Sequence, residues 1–327
     1  MAAPKKKVAY LFGAGATHAE LFDLEPNIAA KRQGLLIGNV SSRVIEKART
    51  DPDYLLGLEL VSATSGSLNI ELLISLIEDS KIHGWARKTQ LLKQLVENDI
   101  KAILTSSRTN KFYLHKALFE LHGLKVVSRS EDLIGLISLN YDGVLDQAYS
   151  HYHGEPNYCF SLKEESKSLP LLKLHGSFTW SDKKPKGLRR SVDIIPLGSN
   201  KTYLHVPYGA IWNKALQILI ECDTLRVIGC SLSPNDTHLI DLLFKAHLER
   251  DVAFEIEIIA TDSTGEKIQT QYGFFPKIRT LVQIEGLLVP EKEPDNAYKT
   301  WLKYKSLKML GPTKIRKSTV HLKKVIS

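Results

Sequence analysis

Five short apolar runs in this chain each end in a cluster of small or polar residues, and those clusters hold the groups best able to do chemistry. Val8–Phe12 ends in Gly13-Ala14-Gly15-Ala16-Thr17, and the run 133–139 ends in Asn140-Tyr141-Asp142. The runs beginning at Leu169, Leu225 and Phe254 end in His175-Gly176-Ser177, Gly229-Cys230-Ser231 and Thr261-Asp262-Ser263. Gly13 and Gly15, with Ala14 between them, let a backbone approach phosphate, and the helix that follows offers free amides to an anion. Thr17 adds a hydroxyl. Asn140 both donates and accepts, as holding a ribose hydroxyl or a water requires. Asp142 accepts when ionised and can orient a ribose or a neighbouring side chain. His175 carries an imidazole whose ordinary pKa of about 6.5 suits a general base near neutrality. Gly229 and Ser231 offer an amide and a hydroxyl to phosphate or ribose, and Asp262 is an acceptor for an adenosine ribose hydroxyl.

Each cluster also has a plainer explanation. The first is a tight strand-to-helix turn, and it lacks the third glycine of the dinucleotide fingerprint. Asn140-Tyr141-Asp142 suits the cap of a helix starting near Val144. A lone histidine is more often held to backbone than used as a base. Ser233-Pro234-Asn235-Asp236 reads as a helix start, and Asp262 as a surface turn. One such cluster means little, because every strand must end in something. Five are more informative, because open parallel sheets bind ligands beyond the carboxyl ends of their strands.

The elements needed to bring these ends together are visible in the periodicity. Apolar runs alternate with helical patterns after Gly123, notably Gly209–Cys222 and Asn235–Arg250, which predicts a parallel sheet covered on both faces. Between the first strand and that region lie amphipathic stretches at Ile28–Arg32, Val44–Arg49, Ile70–Glu78, Lys88–Leu104 and Phe112–Leu121, with breaks at Asp51-Pro52 and Ser65-Gly66-Ser67. One strand cannot make a sheet alone. The expected fold is therefore α/β: a Rossmann-like, mostly parallel sheet in a domain 1–290, a helical module inserted at about 20–123, and a basic C-terminal tail 291–327.

Composition narrows the setting. The 327 residues are 43% hydrophobic and 24% charged, as in ordinary globular proteins, and no apolar run is long enough to span a bilayer. Lys5-Lys6-Lys7 followed by Val8–Phe12 imitates a signal peptide, but the apolar run breaks at Gly13. Cys159, Cys222 and Cys230 have no Cys-x-x-Cys spacing, so no zinc ribbon or disulfide framework is indicated, and scattered thiols suit a cytosol. The net charge of +8 is concentrated at one end: residues 299–327 hold nine Lys or Arg and no Asp or Glu, leaving 35 basic and 36 acidic residues before them. Such a tail is a solvated end, an edge of an oligomer contact, or a site for nucleic acid or an acidic partner.

In order, Gly-Ala-Gly-Ala-Thr, Leu-Asn-Tyr-Asp, Lys-Leu-His-Gly-Ser and Ile-Gly-Cys-Ser-Leu resemble the sirtuin-like family, most nearly its bacterial NAD-hydrolysing branch found in anti-phage defence. The stretch from Ala210-Ile211-Trp212 through Asp236 to Leu243 is similar to that branch, and Leu68-Asn69-Ile70-Glu71-Leu72-Leu73 resembles its helical module more weakly. The resemblance covers roughly residues 6–290. It implies NAD as substrate, with Gly13, Ala14 and Gly15 at the pyrophosphate, Asn140 and Asp142 at the nicotinamide ribose, His175 as base, and Ser231 and Asp262 near phosphate or adenosine. The family's usual serine is Thr17 here. Protein-deacylating sirtuins carry a four-cysteine zinc module that three cysteines cannot build, so the expectation is a metal-free NAD hydrolase of the bacterial cytoplasm, with no membrane association. The alternatives are an NAD- or ADP-ribose-sensing subunit and an ADP-ribosyltransferase. A toxic hydrolase needs restraint, which implies homo-oligomerisation or a partner such as a HerA-type ATPase.

Overall fold

Val8-Ala9-Tyr10-Leu11-Phe12 has no polar side to turn to water, so both of its faces must be covered. The computed structural model describes residues 4–24, 34–50, 69–80, 85–106, 112–161, 168–180, 194–195, 206–287, 297–311 and 320–326. In it these five residues are buried within strand β1 (Lys6–Phe12), which pairs in parallel with β2 (Glu131–Ser138) on one side and β4 (Thr224–Ile228) on the other. With β3 (Leu171–Lys173), β5 (Glu255–Ile259) and β6 (Ile278–Thr280), the sheet has the order β3-β2-β1-β4-β5-β6, every pairing parallel. This is a Rossmann-like α/β fold. The order reverses between β1 and β4, and such a switch point opens a crevice at the carboxyl ends of the strands.

The helices follow in chain order. They are α1 (Ala14–Leu24), α2 (Ile37–Ala48), α3 (Ile70–Ser80), α4 (Trp85–Ser106), α5 (Tyr113–Gly123), α6 (Lys125–Ser130), α7 (Val144–His153), α8 (Tyr208–Glu221), α9 (Thr237–Leu248), α10 (Asp262–Gln271), α11 (Leu281–Glu285), α12 (Ala297–Leu310) and α13 (Val320–Ile326). The helical pattern at Ile28–Arg32 and the breaks at Asp51-Pro52 and Ser65-Gly66-Ser67 lie outside the described residues. A second apolar core joins α2, α3 and α4 through Val40, Val44, Ile70, Ile74, Leu92 and Val96. α5 falls inside the stretch 20–123 expected for the module, yet its Leu114, Leu118 and Leu121 belong to the core around the sheet. Amphipathic spacing shows that a helix has a face to bury; it does not show against what.

Two helices of the basic segment are built into the sheet's own core. Tyr298, Trp301 and Leu302 of α12 and Leu322 and Val325 of α13 are buried there. Its lysines obscured this reading, because a cationic helix still buries a stripe. Several also pair internally: Lys299 lies 2.7 Å from Asp23, Lys305 3.1 Å from Glu131 and Lys308 3.3 Å from Glu285. Lys324 Nζ sits 3.6 Å from the centroid of the Tyr113 ring.

Under α12 lies a buried polar network. Arg226 of β4 forks onto Glu131 at 2.7 and 2.8 Å, donates to Glu257 Oε2 at 2.8 Å and to the Tyr10 hydroxyl at 2.8 Å, and lies 5.5 Å from the Trp301 ring centroid. Burial would raise the Glu131 carboxyl, but Arg226 and Lys305 outweigh it and hold it well below the usual carboxylate range. Burial, with Arg226 nearby, pushes His122, bonded to Tyr10 at 2.8 Å, down to about 4. The opposite face carries α8, where Ile218 packs so tightly that a Cβ on Gly135 would come within 2.7 Å of it. Arg226→Ala removes the cation that Glu131 and Glu257 share and leaves them only Lys305 and Arg279, at 3.1 and 3.3 Å; urea unfolding should show a loss of about 3 kcal/mol.

Candidate functional site

At the switch point the turn after β1 closes on the loop after β4. Gly13 N donates to Ile228 O at 3.0 Å and Gly15 N to Gly229 O at 2.8 Å. A Cβ on Gly13 would lie 2.6 Å from Gly229 O, and one on Gly15 2.8 Å from Gly229 Cα. Gly229 itself has a φ of 59°, and a Cβ there would meet Ala16 N at 2.1 Å. The glycines therefore serve first to let two loops touch. The amides of Gly13 and Gly15, expected to face a phosphate, are spent on that contact, and Ala16 N bonds Gly13 O at 3.0 Å. What the turn offers an anion is the N-terminal end of α1 at Ala14.

Beside this closure lies a cleft of about 460 Å³, within the usual range for small-molecule sites. Gly13, Ala14, Gly15, Asn140, Asp142, His175, Gly229 and Ser231 all line it, and so does Thr261, so the ends of β1, β2, β3, β4 and β5 meet there. The Asn140 amide donates to Gly13 O at 2.9 Å and to Thr17 Oγ1 at 3.0 Å. Both of its N–H groups are thereby used, and what it presents to a ligand is the Oδ1 acceptor.

Thr17 is not among the lining residues. It is buried behind Asn140 and donates its own proton to Asp142 Oδ2 at 2.9 Å. The other Asp142 oxygen accepts Val144 N at 2.9 Å, which caps α7 as the plainer reading held. Lys173, buried in β3, donates to the Asp142 carbonyl and pairs with Asp146 at 2.9 Å, and Tyr158 donates to Asp146 at 2.5 Å. Asp142 thus touches the cleft with both carboxylate oxygens already engaged. Its clearest work is to tie the ends of β2, β1 and β3 into one frame.

His175 follows β3 with its side chain buried, its Nε2 3.2 Å from Asp236 Oδ2. The Tyr141 ring lies 6.2 Å from it, and the Tyr141 hydroxyl donates to Ile195 O at 2.8 Å. Cys230 also lines the cleft, but burial pushes its thiol up to about 12, which keeps it protonated and poor as a nucleophile. Asp262, the first residue of α10, is not among the lining residues. Its neighbours Thr261 and Thr264 are, joined by a 3.0 Å hydrogen bond between hydroxyls, so that corner offers hydroxyls where an acid was expected. The rule that an acid ends the strand locates a position only to within a residue or two.

Asp236, Asn69 and Glu71 also line the cleft, and the sequence assigned none of them a role there. Asp236 read as a helix start. Asn69 and Glu71 come from α3, where Asn69 Oδ1 caps the helix by accepting Glu71 N at 3.0 Å and Leu72 N at 3.3 Å. The only sequence signal for that pair was the weak resemblance of Leu68–Leu73. The helical module also supplies an apolar wall of Leu35, Ile37, Val40, Val96 and Ile100, and α12 adds Tyr298. Among the described residues lining the cleft, the carboxylates are Glu71, Asp142 and Asp236, the imidazole is His175, and no Lys or Arg is present.

No protein-family model matches the chain, and no curated protein does. A solved structure described as "Structural Basis for the Mechanism and Regulation of Sir2 Enzymes" is similar to it over 92% of both chains, at 13% identity and a TM-score of 0.34. Thr17 gives the site a direct test of its frame. Thr17→Val removes the acceptor for Asn140 and the donor to Asp142 at nearly constant volume, and should cost about 1–3 kcal/mol in urea unfolding, whereas Thr17→Ser, which keeps the hydroxyl, should cost less.

Proposed function

We propose that this chain is a sirtuin-like NAD hydrolase that cleaves the nicotinamide–ribose bond to give nicotinamide and ADP-ribose. The observation that carries the reading is the meeting of Asn140 and His175 in one cleft at the switch point of a 3-2-1-4-5-6 sheet, where dinucleotides bind. The charge pattern supports it. NAD has a cationic nicotinamide ring, and its cleavage passes through an oxocarbenium-like ribose. A cleft with Glu71, Asp142 and Asp236 and no lining Lys or Arg among the described residues favours both. The pyrophosphate is then left to the N-terminal end of α1 and to the Ser231 and Ser233 hydroxyls, which line the same cleft.

Nicotinamide leaves as a neutral amine, so no strong general acid is required. Asn140 Oδ1 accepts a hydrogen bond from a ribose hydroxyl or from the attacking water and so orients it. His175 takes the proton that water loses as its oxygen bonds to the ribose carbon. The apolar wall from α2 and α4 limits the water that reaches the site. The anti-phage role by NAD depletion, the bacterial cytoplasm, a homo-oligomer and a HerA-type partner rest on the sequence resemblance. Nucleic-acid contact through the basic segment would fall to lysines other than Lys299, Lys305 and Lys308, which are paired with carboxylates.

Purified protein, alone and with candidate partners, should release nicotinamide from NAD, and His175→Ala should lower the rate by about 10²–10⁴-fold, the usual contribution of a general base. His175→Ala that hydrolyses NAD at the wild-type rate contradicts the assignment. ADP-ribose appearing on protein instead of free would make the chain a transferase, and NAD binding without nicotinamide release would make it a sensor.

A further inference from the structure

Asp236 precedes α9 in the place of an N-cap, yet its side chain makes no cap hydrogen bond, and its backbone sits at φ −92° and ψ 64°. The carboxylate is turned instead toward His175, Oδ2 to Nε2 at 3.2 Å, with both side chains less than a tenth exposed. The loop before it accounts for the turn. Leu232 has a φ of 47°, a conformation that residues with a Cβ seldom adopt. It is held there by the Tyr272 hydroxyl, which donates to its carbonyl, and by Cys230 Sγ, 3.4 Å from its amide. Asp236 N then bonds Ser233 O at 2.9 Å and closes the loop. On the other side, the His175 carbonyl accepts Ile195 N at 2.8 Å, which fixes the backbone that carries the ring. A carboxylate this buried needs compensation, and the nearby N-terminal end of α9 supplies part of it. His175 Nε2 faces Oδ2 at ion-pair distance, without the alignment of a hydrogen bond.

We propose that Asp236 is a positioning residue for His175: it accepts Nε2–H, so that Nδ1 carries the lone pair that takes the proton of the attacking water. This rests on His175 being the base of NAD hydrolysis. As the water oxygen bonds to the ribose C1′, the C1′–N bond to nicotinamide breaks with its electron pair on nicotinamide. The water proton moves to Nδ1, the Asp236 carboxyl group stabilises the resulting imidazolium, and the proton is later released to solvent. Catalytic pairs of this kind are often long or poorly aligned and tighten only in the Michaelis complex, and Nε2–H comes into line with Oδ2 as NAD binds.

The test reads the tautomer and the kinetics separately. In ¹⁵N-histidine-labelled protein, the His175 ring is identified by its absence from spectra of His175→Gln. It should show a pyridine-like Nδ1 and a protonated Nε2, and Asp236→Leu should abolish that preference. Asp236→Asn should lower kcat for nicotinamide release by about 10–100-fold while KM stays within about twofold, and Asp236→Glu should recover part of the loss. A wild-type ring protonated at Nδ1, or full kcat in Asp236→Asn, overturns the proposal. If the wild-type protein releases no nicotinamide with any partner, the hydrolase reading falls, and the tautomer alone still decides the pairing.

Discussion

The turn after β1 and the loop after β4 touch with no room for a side chain between them, and the site is arranged around that contact. Gly15 donates to Gly229 at 2.8 Å, and a Cβ on Gly229 would overlap the Ala16 amide. Because the loops meet there, Gly13 O stands where the Asn140 amide can reach it, and Thr17, one turn into α1, stands where its hydroxyl bridges Asn140 and Asp142. Asp142 then caps α7, and Lys173 ties its carbonyl to β3, the strand that delivers His175. The loop from Gly229 goes on to Asp236, which returns to His175. Polar groups on β1, β2, β3 and β4 are thus mutually located through one backbone contact. Widening it by a methyl group would displace Asn140 and, through the shared frame, His175.

This arrangement divides the polar groups by task. Those that build the frame have their hydrogen-bonding capacity filled within the protein: the Gly13 and Gly15 amides, the Thr17 hydroxyl and both Asp142 oxygens. Those offered to a ligand are the Asn140 acceptor and the hydroxyls of Ser231, Ser233, Thr261 and Thr264, which line the cleft beside His175. A frame satisfied internally is ordered before a ligand arrives, so little binding energy goes to ordering it. The helical module closes the other side of the same cleft with an apolar wall and with Glu71, so a shift of α2–α4 against the sheet alters both the water and the charge inside the cleft.

The sheet was legible because parallel strands buried on both faces are continuous apolar runs, and each ran into its polar cluster where a strand ends. Leu171–Lys173 is three residues long, yet His175-Gly176 marked its end; Ile278–Thr280, as short, had no such mark and went unread. Asn140 and His175 were legible for the same reason. Thr17 was read as a ligand contact, and Asp142 as a ligand contact or as part of a helix-start turn, because sequence gives a residue's hydrogen-bonding capacity without saying whether the protein itself consumes it. Asp236 and Glu71 reach the cleft from other elements, and no local pattern foretells a contact across 61 residues, as between His175 and Asp236. The burial of Trp301 beneath a run of lysines was hidden likewise, since net charge describes the solvent face of a helix and not the stripe it buries.

The central claim is that the strand ends on either side of the β1–β4 switch hold NAD for attack at the nicotinamide ribose. A crystal structure of His175→Ala soaked with NAD tests it most directly, since the variant should bind substrate and turn it over slowly. The account predicts density for intact NAD with its pyrophosphate at the Ala14 end of α1, the nicotinamide ribose within hydrogen-bond distance of Asn140 Oδ1, and the nicotinamide ring on the side of the cleft that carries Glu71 and Asp236. NAD bound elsewhere, or an empty cleft at saturating NAD, would contradict it.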